Sequence, residues 1–394
     1  MATRYLTALP TLPSFPGVSG EQTRERFGGP LPENGMREAA LDMLEDVVAM
    51  PRPPSPRFYG YILGSGEPVA ALGDLLASVL NQNVTAWRSS PAGAAIEKQV
   101  IGWLATAIGC SGFGGSLCGG ASAANLMGLA MAREAKLPQS ESGARAATVY
   151  ASSEVHMSIP KAVALLGLGR ESLRLVPTDA AYRMDVRALQ AAIASPDRLR
   201  GLALADSLSL DPHKWLYQPV DCGALLYKSP VPARAAFSQT GAYARTFGSD
   251  PLEAFAYFEE SMELSRRFRA LKLWLSLRYH GAGAFRTAIR SDLHHACDLA
   301  GIIHNTQELE LMAPAELSTV CFRYRCGTDD SDLDQINAAI LKRLIERGRI
   351  YLSNASIAGR FALCACFVNH HTTDSDVAEI VPEVLAASRD VLGA

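Results

Sequence analysis

The sequence predicts an α/β fold: a large domain on a mainly parallel sheet, followed by a small C-terminal α+β unit. Three observations carry this. Apolar strands alternate with helices through the middle of the chain, the order that βα units take. A glycine-rich stretch, Gly112–Gly120, opens directly into a helix. Beyond residue 285 a further set of strands and helices reads as a unit of its own. The length, 394 residues, holds two or three domains of ordinary size.

Residues 1–57 are rich in Pro and Gly, ending in PRPPSP at 51–56, with a helical patch around MREAALDMLEDVVAM. So much proline excludes a central strand and predicts an arm lying on something else, a partner subunit being the expectation. From Pro68, VAALGDLLASVLNQN repeats apolar residues at three- and four-residue spacing, a helix. AAIEKQVIGWLATAIG is a second helix, ending on Gly109. ASAANLMGLAMAREAK follows the glycine-rich stretch as a third. ATVYASSE (147–154) reads as a short buried strand, HMSIPKAVALLGLG as a helix closed by glycine, and ESLRLVPT as another strand. RMDVRALQAAIA is helical. ADSLSL and DCGALLYK are strands on either side of Pro219, and 238–254 is an irregular loop. RRFRALKLWLSLRYHG is strongly amphipathic. The small unit has strands at LSTVCFRY, IYLSNA and RFALCACFVN. Its helices are SDLHHACDLAGIIHN, DLDQINAAILKRLIERG and DSDVAEIVPEVLAASRDVL. The expected domains are an arm over 1–65, a large domain over 66–285 and a small domain over 286–394.

Composition narrows the function. Hydrophobic residues make up 48% and charged residues 20%, which excludes a disordered or collagen-like chain. Lys+Arg 37 against Asp+Glu 40 leaves a net charge of −3, so nothing points to nucleic acid or an anionic membrane. Eight cysteines are scattered without a C-x-x-C, which reads as free thiols in a reducing cytoplasm. The closest pair, Cys364 and Cys366, lies on one face if the segment is a strand. No apolar run approaches the ~20 residues of a membrane span, and the start has no signal-peptide pattern. The expectation is a soluble, cytoplasmic protein with no metal site.

The chemistry concentrates in ADSLSLDPHKWLYQPVDCGALLYK (205–228). Proline ends the strand, so Lys214 sits at a turn off a sheet edge, flanked by His213, Trp215 and Leu216. An apolar and aromatic setting depresses a lysine's pKa, the condition for imine chemistry. A surface lysine on a strand–turn fits the same spacing. Gly119-Gly120-Ala121-Ser122 precedes a helix, where backbone N–H groups attract phosphate and Ser122 adds a hydroxyl; such a turn also serves as a plain cap. Asn125, one turn along, supports that cradle or only caps. His156 ends the strand 147–154, where α/β ligand sites collect, though a lone histidine there also fits a structural role.

DPHKW resembles the Schiff-base motif of the pyridoxal-phosphate group II amino-acid decarboxylases, which include the aromatic-L-amino-acid, glutamate and histidine decarboxylases. RFYGYILGSGEPVAALGDLLASVLNQNVTAWRSSPAGAAIEKQVIGWLA, CGGASAANLMGLAMARE, VYASSEVHMSIPKAVALLGLG and YLSNASIAGRFALCACFVNHHTT resemble further stretches of that family, in its order. The likeness covers nearly the whole chain and is greatest to bacterial aromatic-amino-acid decarboxylase-like members.

The resemblance implies fold type I, with a seven-stranded-type sheet in the large domain. It also implies a homodimer with its active site at the subunit interface, and pyridoxal 5'-phosphate as cofactor. Lys214 would carry the cofactor as an imine. Ala121 and Ser122 would hold its phosphate, His213 would bond that phosphate or relay a proton, and His156 would stack on its ring against the scissile carboxylate. Asp206 and Ser207 rank lower as contacts. A tyrosine on the 238–254 loop, Tyr243 with Tyr257 as fallback, would return a proton to Cα once carbon dioxide leaves, under a lid that excludes water. Tyr59, Tyr61, Ile62, Asn83, Thr85 and Trp87 would shape the substrate pocket, some from across the dimer, although each also fits dimer packing alone. The implied reaction is decarboxylation of an L-amino acid, with aromatic side chains (Trp, Phe, Tyr, dopa) ahead of acidic ones. Aldehyde-forming oxidative decarboxylation or transamination stands as the alternative with the same cofactor.

Two departures stand out. The family has a long stretch between RMDVRALQAAIA and ADSLSLDPHKW, including a strand whose aspartate pairs with the pyridine nitrogen. Here Ala194 runs straight into Ser195. Either the chain carries a real deletion, giving a catalytically dead homologue, or the polypeptide is longer than this sequence. The second is the expectation, with a spatial break at 194–195 much longer than the ~3.8 Å between neighbouring Cα atoms. The other departure is Cys364, where relatives often have arginine; a structural effect is expected.

Overall fold

The computed structural model describes residues 1–138, 143, 147–179, 182–193, 205–238, 250–325 and 330–393, without side chains at 190–193 and 330–331. The junction at 194–195 and Tyr243 lie outside the described residues. The chain divides into two compact units. One is Met1–Ser65 with Gly283–Ala394; the other is Gly66–Ala282.

The first unit begins with helices α1 (Ala2–Ala8), α2 (Gly20–Phe27) and α3 (Ala39–Ala49). Ser19 caps α2 by a reciprocal pair of hydrogen bonds with Gln22. The second unit opens with α4 (Pro68–Leu80) and α5 (Pro91–Ala107), each with proline in its first turn. The Glu67 carboxylate caps α4 by accepting from the amides of Val69 and Ala70 at 2.6 and 2.8 Å.

β1 (Gly114–Cys118) follows, in a stretch whose glycines hid it from the sequence reading. It pairs antiparallel with β5, and the glycines are there for close approach: a Cβ on Gly115 would stand 2.2 Å from the Leu225 carbonyl oxygen. Next come α6 (Ala121–Lys136), β2 (Val149–Ser152), α7 (Ser158–Leu165), β3 (Leu173–Val176), α8 (Val186–Ile193), β4 (Ser207–Leu210), β5 (Gly223–Tyr227) and α9 (Val231–Phe237). β2 and β3 pair in parallel as a two-stranded sheet, and β1-β5-β4 form a three-stranded one. The strands of this α/β unit therefore stand in two sheets among the described residues, where one seven-stranded sheet was expected. The chain leaves the three-stranded sheet between β1 and β2 and returns to it between β3 and β4.

α10 (Ala270–His304) is broken at Gly281, whose φ of 74° is left-handed. The rest of the first unit is β6 (Leu309–Leu311), β7 (Thr319–Tyr324), α11 (Asp330–Arg347), β8 (Ser353–Ile357), β9 (Arg360–Cys366), α12 (Asp374–Ala378) and α13 (Ile380–Leu392). Its antiparallel sheet runs β6-β7-β9-β8. Val320, Phe322, Leu363 and Ala365 pack with Ile340, Leu344, Ile380 and Val384 into an apolar core. No helix among the described residues is long and apolar enough to cross a membrane.

Candidate active site

The turn after β4 is built by Asp211 and Lys214. The Lys214 amide donates to the Asp211 carbonyl at 3.0 Å, and the Tyr217 amide to the Lys214 carbonyl at 3.0 Å. The Asp211 carboxylate joins two elements. Oδ1 accepts from the Ala121 amide at the start of α6 (2.7 Å), and Oδ2 lies 3.0 Å from the Lys214 ammonium. The lysine turn is thus docked on a helix N-terminus, 90 residues away in sequence. Lys214 stays 37% exposed. The apolar setting expected around it is replaced by an ion pair with a buried carboxylate.

His213 donates from Nδ1 to the Cys222 carbonyl at 2.7 Å, which leaves Nε2 to face a ligand. Gly120 starts α6 with φ 138°, and a Cβ there would stand 3.7 Å from His213 Cε1 and 3.9 Å from Asp211 Oδ1. A side chain at Gly120 would fill the space between helix terminus and lysine turn. Gly223 of β5 backs the same turn, since its Cβ would lie 2.4 Å from Gly120 Cα. Ser122 is exposed at the helix terminus.

His156 is held by a chain of hydrogen bonds. Ser209 of β4 donates to Asn125 Oδ1 (2.6 Å), and Asn125 Nδ2 donates to Ser158 Oγ (2.8 Å). Ser158 Oγ lies 2.8 Å from His156 Nδ1 and donates to it. The Ser158 amide approaches the same nitrogen at 3.2 Å. Nδ1 is therefore the acceptor, and the proton sits on Nε2. Asn125 supports the site by fixing His156. Ser158 and Ser209 were not legible in the sequence.

Charged groups frame the cradle from below. Arg266 and Glu97 are both fully buried and paired at 2.5 Å, and Arg266 also donates to the carbonyls of Val84 and Leu117 (2.8 Å each). Lys272, also fully buried, meets Asp74 Oδ2 at 3.0 Å and the Pro219 carbonyl at 2.9 Å. Asp221 pairs with Arg269 at 3.1 Å and lies 3.3 Å from where a Gly119 Cβ would be. Burial alone would raise the Asp221 carboxyl; the Arg269 guanidinium outweighs it and holds the group below its ordinary value.

The other sequence-predicted residues are spread more widely. Asn83 accepts at Oδ1 from the Arg266 amide (2.7 Å) and lines a cleft of about 410 Å³ with Asn81, Gln82, Arg266 and Arg267. The Thr85 carbonyl accepts from the Tyr257 amide at 2.7 Å, and the Trp87 amide reaches Phe255. Tyr257 is fully buried, its ring 4.8 Å edge-on to Phe255 and 4.2 Å from the Arg266 guanidinium. Burial pushes its phenol well above the ordinary value. Tyr59, Tyr61 and Ile62 belong to the other unit. Tyr59 is buried in its core, 5.3 Å from the Phe367 ring. Tyr61 and Ile62 are exposed, with Arg52 4.9 Å from the Tyr61 ring. Asp206 is exposed just before β4, and Ser207, its first residue, is half-buried.

The residues fit a phosphorylated aldehyde cofactor. There is a glycine turn at a helix terminus, an exposed serine on that terminus, a histidine held through Nδ1, and a partly exposed lysine held in place by a carboxylate.

Comparison with known proteins accords with this. The chain matches the pyridoxal-dependent decarboxylase conserved domain over residues 47–198 and 194–325. It is 27% identical to the aromatic-L-amino-acid decarboxylase of Bacillus atrophaeus, covering 98% of this chain and 93% of that protein. It is 26% identical to a phenylacetaldehyde synthase of Petunia hybrida, covering 81% and 79%. Oryza sativa TDC, solved with PLP and tryptamine, superposes with a TM-score of 0.90 at 23% identity, covering 99% of this chain and 95% of that one. The fold is the expected fold type I. The two family matches meet at 194–198, and the Bacillus alignment spans 454 positions against 394 residues here, so at least 60 of its positions have no residue of this chain opposite. Both observations accord with a stretch of family sequence that has no counterpart at this junction.

Proposed function

Since the chain belongs to the pyridoxal-dependent decarboxylase family, we propose that it is a carboxy-lyase that removes carbon dioxide from an aromatic L-amino acid to give the amine. The observation that carries this is the docking of the Lys214 turn on the N-terminus of α6 through Asp211. Bound there, pyridoxal phosphate supplies the electron sink for the pair left on Cα. The chain's own residues do the rest. The Ser122 amide and hydroxyl and His213 bind the phosphate, whereas the Ala121 amide, expected to join them, is taken up by Asp211. Lys214 Nζ would anchor the cofactor's aldehyde carbon, and Asp211, 3.0 Å away, aims it. His156, its Nδ1 committed to Ser158, would help to hold the cofactor's ring. Tyr243 returns the proton to Cα, and Asn83, Thr85 and Trp87 border the substrate.

A homodimer is part of the proposal. Leu72, Leu75, Leu76, Val79 and Leu80 form one exposed apolar stripe on α4, at the spacing of a single helix face, and a second copy of this chain is its occupant. Sedimentation equilibrium reads that stoichiometry. Cytoplasmic residence follows from thiols kept free.

The Petunia relative, named a phenylacetaldehyde synthase, supports a second reading, in which dioxygen and water convert the amino acid to the aldehyde, carbon dioxide, ammonia and hydrogen peroxide. Reconstituted protein incubated with tryptophan, phenylalanine, tyrosine, dopa and glutamate decides: carbon dioxide and amine are expected, aldehyde and peroxide select the second reading, and no product from any selects a catalytically dead homologue. Lys214→Ala should abolish both turnover and the visible absorbance of the bound cofactor; turnover retained by that variant rejects the assignment.

A further inference from the structure

The antiparallel sheet of the first unit carries three thiols in a row. Cys321 on β7 is the direct cross-strand partner of Cys364 on β9, and Thr319 is the partner of Cys366. The sulfurs of Cys321 and Cys364 lie 3.7 Å apart, and those of Cys364 and Cys366 3.8 Å. All three project from the face opposite the apolar core, since the alternate residues Val320, Phe322, Leu363 and Ala365 fill that core.

The backbone shows which kind of pair this is. The Cys321 carbonyl accepts from Met312 on the β6 side (2.9 Å), and the Cys366 amide donates to Tyr59 (2.9 Å), so neither turns toward the β7–β9 seam. Residues of that parity form the non-hydrogen-bonded pairs, where Cα atoms approach to about 4.5 Å and side chains stand closest. That is within the Cα range of a disulfide, ~4.4–6.8 Å. Cys321 is half-buried, while Cys364 and Cys366 are buried behind it.

We propose that Cys321 and Cys364 are a modification site, an oxidisable thiol pair that hydrogen peroxide closes into a disulfide across β7 and β9. The Cys321 thiolate attacks the peroxide, takes one oxygen as a sulfenic acid and releases water. The Cys364 thiol then displaces the second water and forms the S–S bond. Two thiols are oxidised by two electrons and the peroxide is reduced to two waters. The neighbouring Cys364 thiol lowers Cys321 from its ordinary value, which favours it as the attacking group.

The full-length protein is treated with hydrogen peroxide, alkylated, digested with trypsin without reduction, and mapped by mass spectrometry. Cleavage at Arg323 and Arg360 separates Cys321 from a peptide carrying Cys364 and Cys366. A linked pair of these peptides is expected, retained in Cys366→Ser and in Cys297→Ser, which shares the Cys321 peptide, and lost in Cys364→Ser and in Cys321→Ser. The thermal midpoint of oxidised Cys366→Ser should rise by several degrees and fall back with reductant. No linked peptide while the exposed Cys297 is oxidised overturns the proposal, as does a link that survives Cys364→Ser.

Discussion

The two units shelter their strands by opposite means. In the antiparallel sheet of the first unit, β7 and β9 each have a strand on both sides and an apolar core against one face. In the second unit β5 is buried along its whole length, yet β4 beside it has no buried residue and pairs on one edge only among the described residues. β4 is the strand that delivers Lys214. Where the sheet does not hold it, polar ties do: Asp211 to Ala121, Ser209 to Asn125, His213 to Cys222. Below them the cradle rests on buried ion pairs. The lesson is that this site is positioned by charge and hydrogen bonds, whereas the other unit is positioned by packing.

The sharpest test removes one support of each kind. Arg266→Ala strands the buried Glu97 carboxylate and should cost about 3–5 kcal/mol. Phe322→Ala empties a fully buried site and should cost a similar ~3–5 kcal/mol. The four tryptophans, Trp87, Trp103, Trp215 and Trp274, all lie in the second unit. Tryptophan fluorescence during urea unfolding should therefore shift its midpoint strongly for Arg266→Ala and weakly for Phe322→Ala, while far-UV circular dichroism registers both. Equal fluorescence shifts would break the comparison, because the units would then unfold as one.

Asp211→Asn is milder. The amide oxygen can still accept from Ala121, but the charge opposite Lys214 is gone. A loss of about 1–2 kcal/mol is expected, read as roughly tenfold weaker pyridoxal phosphate binding with little change in the urea midpoint. A large stability loss with unchanged binding would make Asp211 a fold residue only.

Much of this was legible in advance. Helices α4–α7 and strands β2–β5 follow from apolar periodicity, and DPHKW named the lysine. Local spacing could not show that the Asp211 side chain reaches a helix far away in sequence. β1 was missed because its glycines, needed for close approach to β5, carry no strand propensity. The cations of RRFRALKLW read as the polar face of an amphipathic helix. Arg266 and Lys272 are instead fully buried, each paired with an acid from a distant helix, and only the fold brings those partners together. Ser158 and Ser209 are short polar residues with no motif around them.

The smallest expected effect tests whether charge also holds the glycine turn. Asp221 stands beside Gly119, and the next residue gives its carbonyl to His213. Arg269 holds the Asp221 carboxyl below its ordinary value of 3.8 when folded. Unfolding returns it to that value, so the unfolded chain binds the proton more readily. The stabilisation is thus complete above the ordinary value and is lost as pH falls through the lower, folded one. Asp221→Asn should reduce stability by about 1 kcal/mol near neutrality. The gap to the unsubstituted protein, followed by fluorescence-detected melting, should stay constant down to about pH 5 and close below about pH 4. A gap that persists unchanged into acid would mean that Asp221 acts by shape, and that the ion pair with Arg269 contributes nothing to holding the turn.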